Sequence, residues 1–204
     1  MGSKQRRARQ KEGLREEILD AARTLFVKDG YESVSIRKIA DKIEYAPGTI
    51  YLYFRDKAEI LDSICEETFA KLLRKLEAVE HDTAAPLDKL RRGLRTYIQF
   101  GLENPNHYVL TFNQAKAHIK SERVLETSGM KAFSCLRREV QECVDAGELV
   151  SKDADELAQT LWAGAHGLTS VLITCPGFPF VEENRLIDRM IQTLVEGVRL
   201  KPNK

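Results

Sequence analysis

The stretch Ile18-Leu19-Asp20-Ala21-Ala22, continued by Leu25-Phe26, Gly30-Tyr31, Ser35-Ile36, Ile39-Ala40 and Gly48-Thr49-Ile50-Tyr51-Leu52-Tyr53-Phe54-Arg55-Asp56-Lys57, decides how this chain folds. Its apolar residues recur at three and four, the period of a helix with one buried face. Leu14, Ile18, Ala21, Ala22, Leu25 and Phe26 form one stripe, which predicts a first helix from about Lys11 to Asp29, ended by Gly30. Ser35 suits the N-cap of a second helix whose Ile36, Ile39, Ala40 and Ile43 face inward. A third helix starts near Pro47, a residue suited to a first position because its missing N–H has no intrahelical partner there. Ile50 and Phe54 are four apart and point inward. Thr49, Tyr51, Leu52 and Tyr53 are then left on the flanks and outer face.

A short helix braced by the one before it fits the major groove of B-DNA. The small residues Ala46, Pro47 and Gly48 let the backbone approach closely at the groove end. Thr49 can donate to a phosphate or touch a thymine methyl, and Tyr51 and Tyr53 can donate to phosphate oxygens. Lys57 and the N–H groups opening a fourth helix make an anion site. The order and spacing of these residues resemble the DNA-binding domain of the tetracycline-repressor (TetR) family of bacterial regulators. The resemblance covers about the first third of the chain and rests on about a dozen positions. It implies that Thr49, Tyr51, Tyr53 and Lys57 touch DNA and that Arg37 reaches a base or phosphate. With Pro47, Gly48 and Leu52 these make the candidate DNA-contacting set.

The chain departs from that family in the turn before the third helix. A glycine, a small apolar residue and a serine-like cap are usual there; this chain has Glu44-Tyr45-Ala46. A left-handed Glu44 costs about 1 kcal/mol, and Ala46 cannot cap, a loss of about 1 kcal/mol. Tyr45 is expected either to pack under the turn or to lie against DNA.

The rest of the chain keeps the helical period, and few segments alternate with period two, so the class is all-α. Asp56 caps a fourth helix reaching about Glu80. A fifth runs from Pro86 to Glu103, a sixth from His107 to Gln114, a seventh from Ser121 to Ala146, an eighth from Asp153 to Thr174 and a ninth from Val181 to Leu200. Residues 1–56 read as a three-helix, helix-turn-helix DNA-binding domain with a basic N-terminal arm. Residues 57–204 read as six helices for effector binding and dimerisation, the architecture the resemblance implies.

Gly164 and Gly167 inside the eighth helix cost about 1 kcal/mol each relative to alanine, so close approach of another helix must offset them. Ala163, Gly167, Ser170 and Thr174 form a stripe of small residues, and the ninth helix has a wide apolar face including Leu186, Met190, Leu194 and Val198. In the TetR family the last two long helices of two subunits form a four-helix dimer interface, which implies that role for these eight residues. Packing within one chain is the alternative. Phe69, Tyr97, Phe100, Tyr108, Phe112, Phe133, Trp162 and His166 are candidate linings of an effector pocket, being aromatic with few polar anchors. The same residues also describe a filled core.

The 204 residues are 43% hydrophobic and 31% charged with net charge +1, an ordinary globular composition. The average hides Lys4, Arg6, Arg7, Arg9 and Lys11, a basic arm with no acid, expected to be disordered when free and to lie along phosphates when bound. Four cysteines without a CxxC pair suit a reducing cytosol. There is no signal-like segment and no apolar run of spanning length, which excludes a secreted or membrane protein and predicts a cytoplasmic one. Histidines 81, 107, 118 and 166 are scattered and no glycine-rich phosphate loop appears, so no catalysis, metal or cofactor is expected. The expected protein is a homodimeric repressor that binds double-stranded operator DNA and is released by a small-molecule effector. The same fold without an effector, or a helical enzyme, are the alternatives. The first needs a solidly packed second part, the second a buried cluster of titratable groups.

Overall fold

The computed structural model describes residues 2–81, 83–114 and 126–200. Among these, helices make up the regular structure and no strand forms, the all-α class read from the period. The chain divides into two compact units: Met1–Thr68 with Asn106–Ser121, and Phe69–Pro105 with Glu122–Lys204.

In the first unit, α1 (Ser3–Asp29), α2 (Ile36–Lys42), α3 (Pro47–Ile50) and the first part of α4 (Lys57–Glu80) enclose one apolar core. Ile18, Leu19, Ala22, Ile39, Ala40, Ile50, Ile60, Leu61 and Ile64 are fully buried there, joined by Leu110. Gly30 ends α1 at φ 80° and ψ 146°, a region open to glycine and little else. The Ser35 hydroxyl accepts the Lys38 N–H at 3.2 Å and starts α2. Asp56 accepts the Glu59 N–H at 2.8 Å and so caps α4 as expected. One reading is corrected: α1 begins at Ser3 and not near Lys11, so the basic arm is the first turns of a helix. Its arginines, lysines and glutamines are good helix formers. Each adds a backbone bond to a helix already nucleated by its packed half.

The second unit packs α5 (Pro86–Glu103) against α7 (Ser128–Asp145), α8 (Ala154–Thr174) and α9 (Glu183–Val198). The short α6 starts at Pro105, earlier than expected, and gives way after Val109 to a π-helical turn, Leu110–Gln114. Pro105 is the first residue of that helix. The predicted start of the seventh helix at Ser121 lies outside the described residues; α7 starts at Ser128, where the Thr127 hydroxyl accepts the Met130 N–H at 3.3 Å. Asp153 caps α8. The Glu182 carboxylate accepts the N–H groups of Asn184 (2.9 Å) and Arg185 (2.7 Å) and starts α9. These bonds, with Arg185 the larger influence, hold its carboxyl below the usual range. The N–H of Val150 on the Val198 carbonyl (2.9 Å) and that of Leu200 on Glu148 (2.8 Å) draw the chain into an extended bridge that stops α9.

Candidate nucleic-acid interface

The site begins with the way α2 ends. The Tyr45 N–H donates to the Ala40 carbonyl at 3.0 Å and the Glu44 N–H to Asp41 at 3.3 Å, with Glu44 at φ 60°. This paired bond pattern is the helix cap that favours glycine at its left-handed residue. The end of α7 shows it with glycine: Glu148 N–H to Cys143 (3.0 Å), Gly147 N–H to Val144 (2.9 Å), Gly147 at φ 72°. Among the described residues Glu44 is the one non-glycine with positive φ. The strain expected at Glu44 is therefore present. Ala46 makes no side-chain cap, also as expected.

From Pro47 the chain turns through α3 to Phe54. The N–H groups of Thr49, Tyr53 and Phe54 donate to Ala46 (2.9 Å), Ile50 (2.9 Å) and Ile50 (3.0 Å). Ile50 is 0% and Phe54 3% exposed, whereas Tyr51 is 57% and Leu52 75% exposed. Pro47 and Thr49 are half-buried, and Tyr53 packs on the core. Gly48 is exposed, with nothing within 4 Å of where a Cβ would stand, so a ligand surface can come close to its backbone. Arg37 stands exposed in the first turn of α2. Lys57 differs from these. Its Nζ donates to the Tyr31 carbonyl at 2.8 Å and lies 4.1 Å from the Tyr31 ring centroid, so it ties the turn after α1 to α4.

In the second unit, Trp162 Nε1 donates to the Tyr97 hydroxyl (3.3 Å), which is hydrogen-bonded to His166 Nδ1 (3.1 Å). Phe133 meets Trp162 edge-on at 6.1 Å. Burial lowers the His166 pKa and so favours the neutral ring. Phe69 lies against Gly129, where a Cβ would stand 3.1 Å from its ring, and Phe100 is buried. Tyr108 and Phe112 pair at 4.6 Å within the first unit. Of the eight candidate pocket residues, the structure thus links Tyr97, Phe133, Trp162 and His166 and assigns Tyr108 and Phe112 to the other unit.

The two α8 glycines have different surroundings. A Cβ on Gly164 would stand 2.5 Å from Leu194 Cδ2, so that glycine serves packing of α9 on α8 inside the chain. A Cβ on Gly167 would meet nothing within 4 Å. Ala163, Gly167 and Thr174 are exposed and Ser170, Leu186, Met190, Leu194 and Val198 half-exposed, while Ile187, Ile191 and Val195 turn inward.

One buried group was not foreseen. Glu139 on α7 is 1% exposed, and neither carboxyl oxygen has a hydrogen-bond partner. It fits because α5 has glycine opposite: a Cβ on Gly93 would stand 2.3 Å from Oε2. Burial first, then the nearby Glu80, push its pKa up to about 8, against the pull of Lys89. Lys89 is itself ion-paired with Glu142. The spacing Cys135, Glu139, Cys143 places this glutamate on α7's buried stripe, the signal that could have found it. Burial likewise raises the thiols of Cys65 and Cys135 to about 11 and Cys143 to about 12, so they behave as small apolar groups. Among the described residues no cluster of metal-ligating side chains forms, and no helix is long and apolar enough to cross a membrane.

Comparison with known proteins matches residues 18–64 to the family "Bacterial regulatory proteins, tetR family". Residues 90–194, more than half of the chain, match "Tetracyclin repressor-like, C-terminal domain". The chain is 35% identical over 74 residues to the fatty acid metabolism regulator protein of Bacillus subtilis, covering 36% of this chain and 38% of that one. It is 34% identical over 90 residues to the HTH-type transcriptional repressor KstR of Mycobacterium tuberculosis, covering 44% and 39%. The matched part thus spans about half or less of these relatives' own length. A solved protein of unknown function from Rhodococcus sp. RHA1 has the same fold, with a TM-score of 0.77 at 22% identity over 92% of this chain and 96% of that one. With the helix-turn-helix unit and the helical unit behind it both matching one family, this chain belongs to the TetR family of bacterial regulatory proteins.

Proposed function

We propose that this chain is a sequence-specific DNA-binding repressor of transcription, acting as a cytoplasmic homodimer and not as an enzyme. The observation that carries this reading is the division of the turn from Pro47 to Phe54 into a buried pair, Ile50 and Phe54, and an exposed pair, Tyr51 and Leu52. Two such turns in a dimer enter successive major grooves on one face of the duplex. Arg37, Pro47, Gly48, Thr49, Tyr51, Leu52 and Tyr53 form the contact surface. Lys57 joins it by exchanging the Tyr31 carbonyl for a phosphate oxygen, the stronger acceptor for an ammonium. The open stripe of Ala163, Gly167, Ser170 and Thr174, with Leu186, Met190, Leu194 and Val198, meets its copy in the partner subunit.

Residues 57–204 hold the effector, a small apolar or amphipathic molecule. The aromatic walls of Phe133 and Trp162 and the polar anchor of Tyr97 and His166 support this assignment. Helix α4 belongs to both units and carries the coupling. A ligand changes operator affinity only by as much as it prefers one spacing of the recognition turns. Operator then lowers effector affinity by the same factor.

The test is selection of bound DNA from a random pool, repeated with candidate effectors. The reading expects a palindromic site in the absence of effector and its weakening in the presence of one. Failure to enrich any sequence would sink it.

A further inference from the structure

Resting on the DNA-binding reading above, we infer that Tyr45 is an additional contact to the DNA backbone, its hydroxyl donating to a phosphate oxygen beside the groove that α3 enters. Tyr45 follows the strained Glu44 in the α2 cap. In caps of this kind the residue after the left-handed one commonly folds an apolar side chain back onto the helix end. A small apolar residue would do so. Tyr45 leaves much of its side chain to solvent: it is 43% exposed, and among the described residues its ring stacks on no other ring and its hydroxyl makes no hydrogen bond.

The backbone on both sides is nevertheless fixed. The Tyr45 N–H is held by the Ala40 carbonyl, and the next residue's carbonyl accepts the Thr49 N–H that starts α3. The phenol is thus presented from a turn with a fixed backbone just ahead of Pro47, so little backbone entropy is lost when it is engaged. An exposed, rigidly mounted phenol with its hydroxyl unused matches one demand of a nucleic-acid interface, a neutral donor for a phosphate oxygen. Such a contact sets the register of the protein on the duplex and carries no base preference of its own.

The test compares the parent chain with Tyr45→Phe and Tyr45→Val on the site selected by the parent. Both variants are expected to bind about three- to tenfold more weakly, as for one lost hydrogen bond. The loss should be equal across operator variants, with the same preferred sequence. The slope of log affinity against log salt should not change, because a neutral hydroxyl releases no counterion. A Tyr45→Phe chain that binds within a factor of two of the parent overturns the inference, and a changed preference at one operator position overturns the backbone assignment. If the parent selects no DNA at all, it is the functional reading that falls.

Discussion

Among the described residues of the first unit, Ile18, Leu19, Ala22, Ile39, Ala40, Ile50, Ile60, Leu61 and Ile64 are fully buried, and the threonines Thr68 and Thr111 are buried with them. In the second unit Glu139 and Lys89 are buried, and Tyr97, His166 and Trp162 share hydrogen bonds partly out of solvent. The first unit has its strained Glu44, uncapped Ala46 and exposed tyrosines outside, and the second buries a carboxylate and a lysine. An element that must enter a groove without deforming needs a stiff apolar base, and strain at its tip is tolerable where the surrounding structure holds it. A sensing element needs interior groups whose free energy changes with protonation or ligand. Five substitutions bear on that contrast.

The largest effect concerns Glu139. Its ordinary value is 4.5 and burial raises it to about 8, so the folded chain keeps a proton that the unfolded chain has released between those values. Its contribution is fully present below about pH 4.5 and is lost as pH rises to about 8, by at most about 5 kcal/mol. Denaturant midpoints of the parent should fall across this range, and Glu139→Gln should flatten the fall. Parallel profiles would mean the second unit's interior is no more titratable than the first's.

Next comes Gly167→Trp. A Cβ there would meet nothing within 4 Å beyond its own stretch of helix, so the subunit should fold while its open face is blocked. Operator affinity should then drop on the order of a hundredfold, the cost of losing linked half-sites, with a monomer in sedimentation. A dimer of parental affinity would place the interface elsewhere.

Gly164→Ala should cost about 1–2 kcal/mol in thermal unfolding, because overpacking against Leu194 outweighs the gain in helix propensity. Gly167→Ala should stabilise the monomeric form by up to about 1 kcal/mol. Equal signs for the two would erase the distinction between the faces of α8.

The smallest is Glu44→Gly, expected to stabilise the first unit by about 0.5–1 kcal/mol through relief of the left-handed strain, less glycine's entropy. A destabilised variant would mean that Glu44 makes a compensating contact.

The same contrast explains what is legible in the chain. Most of the first unit's core comes from one continuous stretch, Ile18 to Cys65: the spacing of Ile36, Ile39, Ile50 and Phe54, the Ser35 cap and the proline at α3 all recur in the structure. The start of α1 is not legible, because Arg6, Arg9 and Lys11 carry no apolar period. In the second unit the helices are visible but the partners are not. Gly164 and Gly167 read alike until Leu194, far along the chain, arrives beside one of them. Glu139 reads as a surface charge until Gly93 makes room for it. Aromatic composition alone groups Tyr108 and Phe112 with Tyr97, although they belong to different units.

The central claim is that two copies of the turn from Pro47 to Phe54 bind one operator. Footprinting of the parent chain on its selected site, with sedimentation of the same complex, tests it most directly. The account predicts two subunits per site and two protected half-sites centred roughly 34–36 Å apart on one face of the duplex. One subunit protecting a single half-site would contradict it.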